Sequence, residues 1–207
     1  MQEFRRFSQM EASRLGYRVN KRLPLLDVPD DVRTTSEAGR RMLTLYAVVS
    51  CSFGFPRQKA ESWLVQEQLL DCLTYDEQLF LSNEMEGGER ARVQWGIEAL
   101  WALAWALKLH DNLDFSDSCS DDFIKLLPDI KHLEPSETYA ERFELRETAE
   151  ILAKADLAYC LHWAIRDSEL EGKSTLGSVP ARVVIERRRA LDWLLSQEPW
   201  DEVTLDT

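Results

Sequence analysis

The segment from Val93 to Leu109 constrains the fold most, because tryptophan, leucine, isoleucine and alanine lie on every side of its helical projection. Glu98 is the single charged residue between Val93 and Leu107. A helix that is apolar all around is usually surrounded by other helices. The segment is short for a membrane span, and it carries a carboxylate. The sequence therefore predicts an all-α fold with a Trp-rich apolar helix, about residues 89–110, at its centre.

Helical periodicity continues through the rest of the chain, and no segment shows the strict alternation that is typical of a strand. Thr34 with Glu37, and Thr74 with Glu77, match the capping box that begins a helix. A short helix is also predicted at Asp121–Leu127. We expect a single-domain, irregular helical bundle of about seven to nine helices.

Two prolines and a pair of aspartates between residues 17 and 33 indicate an extended connector. We therefore divide the chain into an N-terminal helix with its connector, residues 1–33, and a helical domain, residues 34–207. The tail at residues 198–207 contains tryptophan, valine and leucine among its acidic residues. We expect this tail to dock on the helical domain.

The chain has 37 acidic and 25 basic side chains, which gives a formal net charge of −12. This excess of carboxylates argues against nucleic-acid binding and against an anionic membrane surface. It fits a basic protein partner, or solubility alone. The four cysteines lack metal-ligand spacing, and the first residues lack the apolar core of a signal peptide. We expect free thiols and a cytoplasmic protein, and the oligomeric state is left open.

Five ionisable residues lie on or beside apolar helix faces, where the pattern predicts core. They are Glu98, Asp156, His162, Arg166 and Arg187. Burial of an isolated charge is costly, so such groups must be paired or neutral. One interpretation is a structural ion network that ties three helices together. The other is a pocket that grips a charged ligand or performs acid–base chemistry. Both interpretations stay open, and no residue is assigned a catalytic role.

The segment between residues 112 and 122 is rich in aspartate. Its candidate partner-binding residues are Asp114, Asp117, Asp121 and Asp122. The segment lacks the spacing and the central glycine of an EF-hand loop, and the chain has no histidine motif at metal-ligand spacing. We therefore expect no metal and no cofactor. We interpret the segment as an acidic surface that a basic protein partner contacts.

Four sequence blocks follow one another in the chain: "QWGIEALWALAWAL", "AEILAKADLAYCLHWAIRD", "VVIERRRALDWLL" and "WDEVTLDT". Together with the upstream "RTTSEAGRRMLTLYAVVSCSFG" they resemble a bacterial domain family of unknown function, number 4272 in that series. The resemblance implies a helical, intracellular protein and brings no activity with it. It also implies that the family's recurrent polar positions fall here at Glu98, His162, Trp163, Arg166, Asp167, Glu186, Arg187, Arg188, Trp193, Trp200, Asp201, Asp206 and Thr207.

Two functions follow as hypotheses. The first is a non-catalytic protein-binding module, an adaptor or an antidote- or immunity-type inhibitor that uses an acidic surface to cover a basic partner. The second is a small-molecule-binding protein or an enzyme built on the buried cluster of glutamate, aspartate, histidine and arginine. The sequence favours the first hypothesis and makes catalysis the less expected outcome.

Overall fold

The computed structural model of the protein describes residues 1–83, 89–120, 122–173 and 177–207. Within these ranges the chain is all-helical and has no β-strand, which confirms the predicted fold class. Eight α-helices are described, within the expected range: α1 (Gln2–Arg14), α2 (Thr35–Ser52), α3 (Arg57–Gln66), α4 (Tyr75–Ser82), α5 (Glu89–Ala106), α6 (Glu137–Ala140), α7 (Thr148–Leu170) and α8 (Ala181–Leu194). No helix of the described residues combines the length and the hydrophobicity that a membrane span needs.

The chain divides into two compact units. The first unit consists of Met1–Arg33, Asn112–Ser118 and Arg146–Thr207, and the second consists of Thr34–Asp111 and Cys119–Leu145. The N-terminal helix and connector therefore belong to the same unit as the two last helices of the chain.

In the first unit, α7 packs against both α1 and α8. Buried aliphatic and aromatic side chains of α7 and α8 form most of the apolar core, for example Leu161, Ile165, Val184 and Leu191. Side chains buried on α1 include Arg5, a cation that needs a partner on the facing helix.

In the second unit, α2 packs against α5, α3 and α4. Both predicted capping boxes begin helices: Thr34 accepts a hydrogen bond from the Glu37 amide before α2, and Thr74 does the same for Glu77 before α4. Gly96 brings α5 close to α2, because a Cβ atom at this position would lie 3.1 Å from Val49 Cγ2. The Trp-rich helix is therefore present as α5, and its position at the centre of the whole fold stays a prediction.

Two predicted helix bounds were wrong. The helix expected at Asp121–Leu127 is a 3₁₀ helix at Phe123–Leu126, and Asp121 itself lies outside the described residues. Short 3₁₀ helices are frequent in connecting segments. Helix α5 ends at Ala106 rather than near residue 110, because Lys108 adopts a left-handed backbone with φ +57°.

Candidate functional site

Asp156, a predicted site residue on α7, forms a buried ion pair with Arg5 on α1. Arg5 Nη2 lies 2.7 Å from Asp156 Oδ1, and both side chains are almost fully buried. Arg5 also donates to the carbonyl oxygens of Leu23 and Pro24 in the connector. One guanidinium thus attaches the first helix and the connector to α7. Removal of either charge leaves the other buried without compensation.

His162, six residues beyond Asp156 on α7, contacts Arg188 on α8. Its Nδ1 lies 2.7 Å from Arg188 Nη1. Burial, followed by the charges of Arg188 and Arg166, lowers the pKa of His162 to about 4. The imidazole is therefore neutral near pH 7, and its Nδ1 is already occupied by a protein donor.

Arg188 also fixes the C-terminal segment. It donates to the carbonyl oxygens of Leu205 and Asp206, stacks over the Tyr159 ring at 4.8 Å, and pairs with Asp192 at 3.0 Å. Burial raises the pKa of Asp192 to about 6, against the opposing effect of its bond to Arg188. The His162 environment thus holds the end of the chain against α8.

Arg187 lies next to Arg188 and is only 1% exposed. Its Nη1 donates to the carbonyl oxygen of Asp114, and its guanidinium lies 5.8 Å from the centre of the Phe115 ring. Lys154 donates to the neighbouring carbonyl of Leu113 at 2.6 Å. Two cations of α7 and α8 therefore hold the segment at residues 112–118 through its backbone.

Arg166 is placed differently from the other predicted residues. Its side chain is 54% exposed and forms an ion pair with Glu169, one turn later on α7, at 2.7 Å. An exposed pair of this kind contributes little to stability. Its charge helps to lower the pKa of His162, together with burial and the charge of Arg188.

Glu98 belongs to the second unit and is 1% exposed. One of its carboxylate oxygens accepts a hydrogen bond from the backbone amide of Cys119 at 3.0 Å. This bond attaches the start of the segment at residues 119–130 to α5. Asp156 binds Arg5 and His162 binds Arg188, and neither arginine belongs to the predicted set. The convergence of Glu98 with the other four residues on one pocket stays a prediction.

The aspartates between residues 112 and 122 differ in the bonds that their carboxylates already form within the protein. Asp114 accepts hydrogen bonds from Asn112 and from both the amide and the hydroxyl of Ser116. Although burial opposes the shift, these bonds lower the pKa of Asp114. Asp122 pairs with Lys125 at 2.6 Å, and Asp121 lies outside the described residues. Asp117 is exposed, and among the described residues its carboxylate accepts a local bond from the Ser118 amide.

A cavity of about 1060 Å³ lies within the second unit. This volume reaches the upper end of the roughly 300–1,000 Å³ that is typical of small-molecule pockets. Its lining includes Val49, Ile97 and Leu100, contributed by the closely packed helices α2 and α5. The irregular segment that Glu98 attaches to α5 contributes Cys119, Phe123 and residues 127–131.

Several polar residues of the cavity lining are satisfied within the protein. Tyr46 donates to the Pro128 carbonyl at 2.9 Å, and burial raises its pKa to about 12. Asp129 accepts from the Lys131 amide and contacts His132 Nδ1. Glu134 accepts from the Asp129 amide and from the hydroxyl of Tyr139. These hydrogen bonds hold the polar groups within the wall of the cavity.

Two large apolar side chains of the lining remain exposed. Phe53 is 58% exposed and Ile124 is 51% exposed, although both belong to a cavity whose inner residues are buried. Exposed apolar groups that surround a concave surface are typical of ligand or partner sites. Three lysines, Lys59, Lys125 and Lys131, also belong to the lining.

The comparison with protein-family models assigns residues 5–203 to a domain of unknown function, DUF4272. The chain belongs to this family. The match covers almost the whole chain and confirms the resemblance seen in the sequence. Neither the curated proteins nor the solved structures contain a match. The description of the family names no activity.

Sequence reasoning missed the partners of the buried charges and the cavity. Arg5 pairs with a residue 151 positions away, and no local pattern connects the two. Arg188 was among the polar positions that the family resemblance implied, but its contact with His162 needs the packing of α8 on α7. The described part of the chain holds no group of three or more His, Cys, Asp or Glu side chains arranged for a metal ion.

Proposed function

We propose that this member of the DUF4272 family is a non-catalytic, cytoplasmic binding module whose binding site is the cavity of the second unit. The observation that carries the proposal is the cavity itself, with buried apolar walls and exposed Phe53 and Ile124 at its surface. Concave, largely apolar surfaces with a few polar groups are where proteins hold small ligands. All four cysteines are free thiols, which fits a reducing compartment.

The non-catalytic part of the proposal rests on how the buried ionisable groups are used. Asp156 is occupied by Arg5, and His162 is neutral and bonded to Arg188. A general base needs a pKa near the working pH and access to a substrate proton. The two groups instead hold α1, α8 and the C-terminal segment on α7.

A calorimetric titration with decanol, a neutral molecule with an apolar chain, tests the site. We expect saturable binding at one site per chain, because the chain of decanol is transferred from water to an apolar cavity. Ser50→Phe places a ring in the cavity from a half-buried lining position, so it should abolish binding. Circular dichroism checks that the variant is folded.

A second variant covers the case in which Ser50→Phe does not fold. Ile124→Asp puts a carboxylate at an exposed lining position, and Val65→Asp makes the same kind of change at an exposed position outside the lining. We expect Ile124→Asp to weaken decanol binding at least about ten-fold, because a charge in the entrance must be desolvated. Val65→Asp should bind like the unchanged protein. Equal binding by all three proteins contradicts the proposed site.

Contact with a basic partner through an acidic surface is a second proposal, favoured by the exposure of Asp117. This carboxylate forms no ion pair with any described residue. Asp117→Lys should weaken such a complex and reduce its dependence on salt, whereas Asp201→Lys, at an exposed position in the tail, should not. A confirmed complex that is insensitive to Asp117→Lys excludes this surface.

A further inference from the structure

We propose that the cavity of the second unit binds an amphipathic anion, a molecule with an apolar chain and one anionic group, and that Lys59 and Lys131 hold the anionic group. This inference rests on the proposed function and adds the chemical class of the ligand. It is carried by the distribution of lysines, by the connection between the elements that bear them, and by the way the nearby carboxylates are used.

Lysines are concentrated at the cavity. The chain has seven lysines, and three of them, Lys59, Lys125 and Lys131, are lining residues. Lys125 is paired with Asp122 at 2.6 Å. Lys59 and Lys131 form no ion pair with any carboxylate of the described ranges, although the chain carries a net charge of −12. Two unpaired cations beside an apolar cavity in an acidic protein point to an anionic ligand.

The two lysines lie on elements that are fastened to each other. Lys59 is on α3, one turn before Trp63, and Lys131 is in the short 3₁₀ helix Ile130–His132. Trp63 Nε1 donates to the Glu134 carbonyl at 2.8 Å, and Gln66 on the same helix donates to the Leu133 carbonyl at 3.2 Å. These bonds place the two lysine-bearing elements side by side along one edge of the cavity.

The carboxylates on this edge are already used. Asp129 accepts from the Lys131 amide at 2.9 Å and from His132 at 2.8 Å. Glu134 accepts from the Asp129 amide at 2.7 Å and from the Tyr139 hydroxyl at 3.2 Å. Neither carboxylate forms an ion pair with Lys59 or Lys131 in the described ranges, so both ammonium groups remain available to a ligand.

The arrangement separates a polar end from an apolar interior. Val49, Leu100 and Phe123 are buried lining residues, whereas Lys59 and Lys131 are exposed. A lysine extends its apolar stem along such a surface and keeps its ammonium group in water. A ligand that matches this arrangement inserts its chain into the cavity, against Val49, Leu100 and Phe123, and leaves one anionic group at the lysine edge.

Three probes with the same chain and different end groups test the inference: decanoate, decanol and decyltrimethylammonium. Calorimetric titrations at low and moderate salt should show decanoate binding about ten-fold more tightly than decanol, the size expected for two exposed ion pairs. Decyltrimethylammonium should bind more weakly than decanol. The preference for decanoate should decrease with added salt. Shortening decanoate to octanoate should weaken binding by roughly ten-fold, because two methylene groups leave the cavity.

A double variant and a matched control test whether Lys59 and Lys131 bind the anionic group of the ligand. The double variant Lys59→Met and Lys131→Met keeps both stems and removes both charges, so decanoate should bind roughly ten-fold more weakly while decanol is unaffected. The matched control, Lys21→Met with Lys173→Met, makes the same change of net charge at exposed positions outside the lining. It should leave the affinity for decanoate within about two-fold.

The possible failures are distinct. Equal affinities for the three probes, or an unchanged affinity for decanoate in the Lys59→Met and Lys131→Met variant, overturn the anionic ligand and leave the binding function standing. Absence of binding by decanol and decanoate alike overturns both proposals. Dimerisation that Ser50→Phe abolishes, without decanoate binding, assigns the cavity to a second copy of the chain and also overturns both.

Two kinds of molecule are amphipathic anions of the proposed class: free fatty acids and the anionic lipids of a membrane. Sedimentation with vesicles of phosphatidylglycerol separates them. Decanoate binding without sedimentation identifies the free acid, and sedimentation that depends on Lys59 and Lys131 identifies the lipid. Both results support the amphipathic anion. Sedimentation that the double variant leaves unchanged contradicts the lysine edge as the point of contact.

Discussion

Two regions of the molecule use charge in opposite ways. The Asp156–His162 face of α7 in the first unit buries its ionisable groups and gives each of them a partner in the protein. The cavity of the second unit buries apolar walls and leaves Lys59 and Lys131 exposed without an ion-pair partner in the described chain. The first arrangement is typical of structure and the second of binding. A buried charge is thus weak evidence of function until its partners are known.

The largest difference should appear on removal of the Asp156 charge. Asp156→Asn leaves Arg5 buried without a counter-charge and should lower the free energy of unfolding by about 3–5 kcal/mol. Asp167→Asn is the matched control on the same helix, because Asp167 pairs with the partly exposed Arg18. It should cost less than about 1 kcal/mol. Urea denaturation followed by circular dichroism measures both.

A compensating pair sharpens this test. Arg5→Met combined with Asp156→Leu removes both charges and replaces them with apolar side chains, so it should recover most of the lost stability. A loss for Asp156→Asn no larger than that for Asp167→Asn shows that the Arg5–Asp156 pair is not a structural element. A role in ligand binding then becomes the better explanation of the buried charges of Arg5 and Asp156.

The pH dependence of stability separates two groups that act against each other. His162 has a folded pKa of about 4, below its usual 6.5, so its contribution to stability rises with pH between these values. Asp192 has a folded pKa of about 6, above its usual 3.8, so its contribution falls as the pH rises through that range. Each change amounts to about 3 kcal/mol, and in the unchanged protein they largely cancel.

Single substitutions isolate the contribution of each residue to the pH dependence of stability. Relative to the unchanged protein, His162→Gln should lose about 3 kcal/mol of stability as the pH rises from 4 to 6.5. Asp192→Asn should gain a similar amount between pH 4 and pH 6. Unfolding titrations in urea at several pH values measure the slopes. Parallel profiles for the two variants contradict the buried, Arg188-linked geometry of this region.

The smallest stability effect is expected at the edge of the cavity. Ile124→Asp and the double variant Lys59→Met and Lys131→Met change exposed side chains, so the free energy of unfolding should stay within about 0.5 kcal/mol. These same changes should weaken ligand binding about ten-fold, for decanol in Ile124→Asp and for decanoate in the double variant. A loss of several kcal/mol in stability instead assigns the lining residues to the core and removes the contrast between the two regions.

Local sequence signals were sufficient for the class of fold and for many helix starts. Thr34 and Thr74 begin helices because a capping box is a contact over three residues, which a sequence shows directly. The end of α5 was not predictable in this way. Its last turn is closed by bonds from Lys108 and Leu109 to Trp105 and Ala104, with Lys108 in the left-handed conformation that glycine usually adopts.

The candidate site was less accessible to sequence reasoning. The burial of Glu98, Asp156, His162 and Arg187 followed from helical periodicity, and the structure agrees. Periodicity did not show that Arg166 is exposed. It predicts the face of the helix on which a residue lies, but not how far the neighbouring elements cover that face. The cavity was missed because its lining comes from α2, α3, α5 and the irregular segment after Cys119, which only tertiary packing brings together.

A titration of ¹⁵N-labelled protein with decanol, followed by chemical-shift mapping of the backbone amides, shows directly which of the two regions binds a ligand. We expect the shifts to concentrate at lining positions such as Val49, Ile97 and Ile124. The amides of Asp156 and His162 should not move. Shifts that concentrate around Asp156 and His162 and leave the cavity lining unchanged contradict a binding site in the cavity.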